Sequence, residues 1–286
     1  MNIAVIGLGL IGGSLAMALK GFEGAKVLGV VRSRSTLEYA RERGVCDTVT
    51  TDPMDVLPDA DVVWLCMQPR GIISFMQEHK DHFKPGALVT DVCGVKTAIM
   101  EAARVLPENV DFIGCHPMAG KETSKLENAE ATLFHNAHFI LTPRGESSSE
   151  HVALMERMAQ YMGFRDVVNT TPEKHDAIIA YTSQVMHVMA VAVCDDPDLF
   201  ECKGFEGGSF RDCTRVAALD VPLWSELFSL NSPALVRVIR RLEENLAAYR
   251  EVLEAGDGEK LEQKLTYSSE RKRKMNVEAR RGDDVH

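Results

Sequence analysis

Met1-Asn2-Ile3-Ala4-Val5-Ile6-Gly7-Leu8-Gly9-Leu10-Ile11-Gly12 opens the chain, an apolar strand that runs straight into a glycine turn. A strand, then G-x-G-x-x-G, then a helix-forming run over 14–19 is the pattern of a dinucleotide-binding βαβ unit. Each glycine has a physical task. Gly7 permits the tight turn, Gly9 lets the backbone approach a pyrophosphate, and Gly12 lets helix and strand pack closely. Leu10 and Ile11 complete the candidate cofactor site. Here the helix N-terminus aims unpaired N–H groups and a positive dipole end at the phosphates.

The first half continues the alternation. Candidate strands lie at 2–6, 26–31, 62–67, 87–91, 111–115 and 138–142, with 166–168 as a last strand, and helical runs at 35–43 and 151–162 fall between them. Such a pattern predicts a doubly wound, mostly parallel sheet of Rossmann type. Val62-Val63-Trp64-Leu65-Cys66-Met67 is apolar throughout, as a strand buried on both faces should be. Beyond Thr170-Thr171-Pro172 the chain reads helical, the proline opening a helix at its first turn. The run 173–194 is apolar nearly all round and should be buried in a bundle or a subunit interface. Helical patterns recur at 223–230 and 233–253, and the charged tail after Ser268 is expected to fray. The expectation is therefore an α/β chain of two domains, a dinucleotide-binding domain over 1–170 and an all-helical substrate-binding and dimerisation domain over 171–286.

Composition narrows the function. A net charge of -10 argues against a nucleic-acid surface, and 45% hydrophobic with 26% charged residues is ordinary for a globular protein. No apolar stretch reads as long enough to cross a membrane, and no secretory signal is visible. The seven cysteines are scattered and contain no C-x-x-C pair, which fits free thiols in a reducing cytoplasm and no metal site.

An NAD-preferring site places an acid about 20 residues beyond the glycine turn. This chain has Val31-Arg32-Ser33-Arg34-Ser35 there and no carboxylate. Arg32, Ser33 and Arg34 can instead hold a 2′-phosphate by guanidinium fork and hydroxyl, so NADP is expected, with NAD possible. Solvated surface arginines are the plain alternative.

Three further segments carry chemistry. His116-Pro117-Met118-Ala119-Gly120-Lys121-Glu122 follows the strand ending at Cys115, at the strand end where open α/β sheets bind ligands. His175-Asp176 precedes Thr182-Ser183-Gln184-Val185-Met186-His187 in the long apolar helix. Gly207-Gly208-Ser209-Phe210-Arg211-Asp212-Cys213-Thr214-Arg215-Val216-Ala217 leads to Leu223-Trp224-Ser225-Glu226.

With these segments and the glycine turn, the chain resembles the prephenate/arogenate dehydrogenase family of tyrosine biosynthesis over nearly its whole length, in a monofunctional form. The resemblance implies oxidation of a cyclohexadienyl ring hydroxyl by hydride transfer to a nicotinamide. The ring carboxylate leaves as CO2, so prephenate gives 4-hydroxyphenylpyruvate, or arogenate gives tyrosine. By motif position, His116 is similar to the family's catalytic histidine and Arg215 to its carboxylate-binding arginine. His187, with Ser183 and Gln184 on the same helix, matches a contact to the substrate side chain, and Glu122 matches an acid near the pocket mouth. The residues alone also allow His187 as a core histidine, Arg215 as a partner of Asp212, and Trp224 as simple core. The chain departs from the family at Gly94, where a serine commonly stands, leaving a water or the Cys93 thiol to substitute. A homodimer in the cytoplasm is expected. Two other readings stay open: a β-hydroxyacid or imine-reductase-like oxidoreductase, and an NADP-binding regulatory protein without turnover.

Overall fold

Eight strands build one sheet: β1 (Asn2–Ile6), β2 (Lys26–Val30), β3 (Thr48–Thr50), β4 (Val62–Leu65), β5 (Leu88–Asp91), β6 (Asp111–Pro117), β7 (His138–Pro143) and β8 (Asp166–Asn169). This computed structural model describes residues 1–121 and 123–283. Strand order is β3-β2-β1-β4-β5-β6-β7-β8. All neighbours are parallel except β6 and β7. The order reverses between β1 and β4, and the crevice beyond their carboxyl ends is where such sheets take a ligand.

Strand residues explain this burial. Ile3 and Val5 of β1 enter one apolar cluster with Val62 and Trp64 of β4, while Ala4, Ile6, Val63 and Leu65 enter the cluster on the opposite face. Successive side chains point to opposite faces, so an unbroken apolar run is what two covered faces require. Five helices connect the strands: α1 (Leu10–Ala18), α2 (Arg34–Glu42), α3 (Pro69–His79), α4 (Thr97–Ala102) and α5 (Ser149–Tyr161). Among the described residues between β6 and β7, the one helical element is a short 3-10 turn, Leu126–Asn128. Without a crossover helix the chain returns antiparallel there.

The helical half begins at α6 (Pro172–Ile179), with Pro172 in its first turn and the Thr171 hydroxyl accepting from the Lys174 N–H at 3.3 Å. A π-helical turn, Ala180–Gln184, joins α6 directly to α7 (Val185–Cys194). There follow α8 (Gly208–Thr214), a 3-10 turn (Arg215–Ala217), α9 (Val221–Leu230), α10 (Ser232–Glu254) and α11 (Gly258–Asp283). By contacts the chain divides into two compact units, Met1–Leu235 and Val236–His286.

Two expectations are corrected. The stretch Pro172–Cys194 forms one helical run of 23 residues containing an 18-residue window of mean hydropathy 1.7, long and apolar enough by composition to cross a membrane. The polar residues scattered through it (His175, Asp176, Thr182, Ser183, Gln184 and His187) conceal that length in the sequence. Secondly, the tail is helical to Asp283 rather than frayed after Ser268. Its Glu, Lys and Arg are strong helix formers, and Asp257 accepts from the Lys260 N–H at 2.9 Å in the first turn.

Candidate active site

The glycine turn follows β1 at the point where the strand order reverses. Gly7 has φ +96°, and its N–H donates to the Val30 carbonyl at 2.9 Å. A β-carbon there would lie 2.6 Å from the Cys66 carbonyl oxygen, and one on Gly12 would lie 2.1 Å from the Gly7 oxygen. Both positions therefore exclude any side chain. Gly9 differs: a β-carbon there would meet nothing within 4 Å. It starts α1, with no side-chain cap and no acid in the first turn. An uncapped helix N-terminus with open space above a glycine fits a pyrophosphate held by the backbone of Leu10, Ile11 and Gly12.

At the end of β2, Val31 is buried while Arg32, Ser33 and Arg34 are exposed. Ser33 caps α2: its hydroxyl accepts from the Thr36 N–H at 3.1 Å and lies 2.7 Å from the Thr36 hydroxyl. The capping role, missed in the sequence, already engages the serine oxygen. Arg32 and Arg34, its neighbours in sequence, are exposed at the head of the helix.

His116 stands near the carboxyl end of β6, one strand beyond the Asp91-Val92-Cys93-Gly94 segment. Its Nδ1 lies 3.0 Å from His175 Nε2, and His175 Nδ1 lies 2.8 Å from Asp176 Oδ1. The Asp176 carboxylate also accepts from the backbone N–H groups of Lys96 at 2.7 Å and Thr97 at 2.8 Å. Burial works against ionisation of Asp176, but these hydrogen bonds outweigh it and hold the carboxyl below its usual range. An ionised Asp176 can only accept, so His175 donates from Nδ1 and accepts at Nε2. His116 must then donate from Nδ1, which leaves Nε2 with a free lone pair. Burial, reinforced by His175 and Lys96, pushes His116 well below the ordinary histidine range. The imidazole is thus a neutral acceptor.

Gly94 lies against this ring: a β-carbon on it would sit 3.8 Å from both His116 Nε2 and Cε1, and 3.5 Å from Leu227 Cδ2. Cys93 does not take the place of a hydroxyl. It is buried, its thiol is pushed up to about 12 by that burial, and no hydrogen bond links it to His116 among the described residues. Beneath the segment, Lys96 Nζ donates to Asp91, whose carboxylate also accepts from the Cys93 N–H at 2.8 Å and the Cys115 N–H at 3.2 Å. A fully buried ion pair thereby ties β5, the Gly94 loop and β6 together.

The second motif begins on the π-helical turn and runs into α7. One extra residue per turn rotates Ser183 and His187 relative to α6, a device common at functional sites and without a sequence signature. His187 donates from Nδ1 to the Ser183 carbonyl at 3.1 Å and stacks on Trp224 with ring centroids 3.7 Å apart. Burial holds it below the ordinary histidine range, with the Ser183 bond opposing. Trp224 is half-buried and stacked rather than simple core. Ser183 is partly exposed. Gln184, expected to touch substrate, is instead buried with its amide spent on both sides, Oε1 accepting from Asn231 Nδ2 at 2.7 Å and Nε2 donating to the Leu227 carbonyl at 3.3 Å. It braces the helices behind the site. Arg215 is exposed on the 3-10 turn that packs against α7. Glu122 lies outside the described residues. An open cleft of about 400 Å³ lies elsewhere, lined by Thr97, Met100, Arg104, Arg144 and Thr171, and His116 is not part of it.

Comparison with known proteins finds two successive family matches. Residues 15–168 match the family model "Prephenate dehydrogenase, nucleotide-binding domain", and residues 171–267 match "Prephenate dehydrogenase, dimerization domain". A cyclohexadienyl dehydrogenase of Zymomonas mobilis is 30% identical over 267 residues, 91% of each chain. The crystal structure of Synechocystis arogenate dehydrogenase superposes with a TM-score of 0.84 at 31% identity, covering 96% of this chain and 100% of that one. A prephenate dehydrogenase from A. aeolicus, solved with hydroxyphenyl propionate and NAD+, gives 0.86 at 27% identity over 96% and 98%.

Proposed function

Because the chain belongs to the prephenate dehydrogenase family, we propose that it oxidises and decarboxylates prephenate or arogenate, releasing CO2 and 4-hydroxyphenylpyruvate or tyrosine. The observation that carries this reading is the neutral His116 with its lone pair held at Nε2. A ring hydroxyl that loses hydride from its own carbon must shed its proton at the same time, and a neutral imidazole is suited to take it. When bound, the nicotinamide dinucleotide supplies the hydride acceptor. The backbone of Gly7, Gly9, Leu10, Ile11 and Gly12 holds its pyrophosphate. Arg32 and Arg34, with no carboxylate at the end of β2, support NADP over NAD; the relative solved with NAD+ makes NAD the alternative.

On the substrate side, Arg215 anchors a carboxylate and His187 with Ser183 meets the side chain, while Glu122 matches, by motif position alone, the family's acid near the pocket mouth. Gln184 supports that surface from behind. Loss of CO2 then follows from the substrate, since it yields an aromatic ring. Residues 1–170 form the nucleotide domain and 171–286 the substrate and dimerisation domain. Exposed Tyr181, Met186, Met189 and Val193 on the long helix, whose 18-residue apolar window is 28% buried within the chain, support a homodimer. A cytoplasmic enzyme acting on small molecules, without nucleic acid or membrane, agrees with the charge of -10. The test is product analysis after incubation with each substrate and each cofactor. The aromatic product together with reduced cofactor is expected. Turnover only of a 2- or 3-hydroxy acid would overturn the reading in favour of the reductase alternative.

A further inference from the structure

We propose that His175 and Asp176 act as a proton relay behind His116: they set which ring nitrogen accepts the substrate proton, and they carry the resulting charge. The proposal rests on the dehydrogenase reading for its substrate but not for its geometry. His116 and His175 are 59 residues apart, on β6 and α6, yet their rings meet at 3.0 Å between nitrogens with centroids 5.2 Å apart. The His175 side chain is fully buried, so no water is needed to satisfy it. Asp176 spends both oxygens on three donors: His175, the Lys96 N–H and the Thr97 N–H. Its own carbonyl accepts from Asn231 at 2.9 Å, which in turn holds Gln184. The row is therefore fixed at every member, and His116 Nε2 is left as the nitrogen open to substrate.

The proton balance is simple. As the carbon gives up its hydride, the hydroxyl O–H bond breaks and its proton forms a bond to His116 Nε2. The Nδ1–H of His116 then passes to His175 Nε2, and His175 keeps its own Nδ1–H toward Asp176. One proton has entered, one cation has formed, and it sits on His175 beside a carboxylate instead of on His116. The surroundings favour that outcome. Charged and titratable groups facing the two rings are Asp176 from α6, Asp91 from β5 and Lys96 from the loop before α4, with Cys93 and Cys115 buried alongside. Burial and Lys96 oppose a charge on either ring and Asp176 favours one on either, but only His175 is hydrogen-bonded to Asp176 and favoured by Asp91 as well, and His116 is pushed down the further of the two. Proton release after turnover reverses the path.

Both roles can be tested on the full chain. Histidine-ring 15N–1H correlation spectra of the protein without substrate should show the His116 proton on Nδ1 and a bare Nε2. His175→Leu removes the acceptor and should abolish that preference. It should also lower kcat by about 100-fold or more, since both a tautomer-setting partner and a proton acceptor are lost. His175→Gln offers an amide oxygen to His116 Nδ1 but cannot carry a proton. It should keep the tautomer, recover only part of kcat, and move the acid limb of kcat/KM to lower pH, because protonation at His175 no longer contributes to the pair's apparent pKa. If the leucine variant fails to fold, the glutamine variant and the wild-type spectrum still decide. A wild-type His116 protonated on Nε2, or a His175→Gln enzyme with wild-type kcat and pH limb, overturns the relay. Absence of turnover by the wild type on either substrate sinks the functional reading instead, and leaves the tautomer result to stand alone.

Discussion

Alanine at Gly9 and alanine at Gly12 should have opposite effects, although the two residues share one turn. At Gly12 the new methyl would lie 2.1 Å from the Gly7 oxygen and 2.8 Å from Cys66 Cβ, against the usual 3.5–4.0 Å or so between non-bonded carbons. Both neighbours are backbone or close to it and cannot swing away. The cost belongs at the upper end of the overpacking range, about 3 kcal/mol or more. In a chain of this size that lowers Tm by roughly 6–12 °C. At Gly9 the methyl meets nothing within 4 Å, and φ of -96° with ψ of -153° is extended backbone open to any residue. Folding should be unharmed or improved by about 0.4–1 kcal/mol through the unfolded chain. The same methyl would occupy the approach of the pyrophosphate and weaken charge-assisted bonds of about 1.5–3 kcal/mol each, so dinucleotide affinity should fall roughly 100-fold. Thermal melts and a nucleotide titration on the two variants give the answer. Wild-type affinity in Gly9→Ala, or a wild-type Tm in Gly12→Ala, would refute the reasoning.

Three other outcomes are expected. Arg215→Ala should raise KM for substrate more than it changes kcat in steady-state kinetics, and an unchanged KM would make Arg215 a purely structural residue. Arg32→Ala should weaken NADP binding about tenfold and leave NAD nearly unaffected, as lost pairing to a 2′-phosphate requires; equal loss for both cofactors counts against a phosphate role. Stability should fall as pH drops from about 6.5 toward 5, followed by denaturant melts at fixed salt. His116, His175 and His187 are all held below the ordinary value, so the unfolded chain binds more protons in that window and acid favours it. A flat profile there would mean these rings charge as freely folded as unfolded.

What was legible in the sequence follows the range of the forces involved. The glycine turn and the strands at 2–6 and 62–67 declare themselves because a two-sided sheet needs contiguous apolar residues. The three-residue β3 is too short to show any period, and β2 and β4 end earlier than their apolar runs because the chain turns there into the next helix. The π turn leaves no pattern at all, since a single inserted residue changes the helix without changing its composition. Ser33 shows how one residue can suit two tasks, a phosphate contact or a helix cap, and only coordinates reveal the cap. His175-Asp176 was visible as a pair but not as a partner of His116. That contact exists only once α6 packs beside α4 and the end of β6, and no local rule spans the 59 residues between the two rings.

The central claim is that His116, held neutral with its lone pair at Nε2, takes the substrate proton as hydride leaves. His116→Asn tests it most directly, with kcat and dinucleotide affinity measured on the same preparation. The expected result is a kcat lower by about two to four orders of magnitude and an unchanged cofactor Kd. A variant that turns over prephenate or arogenate at the wild-type rate would contradict it.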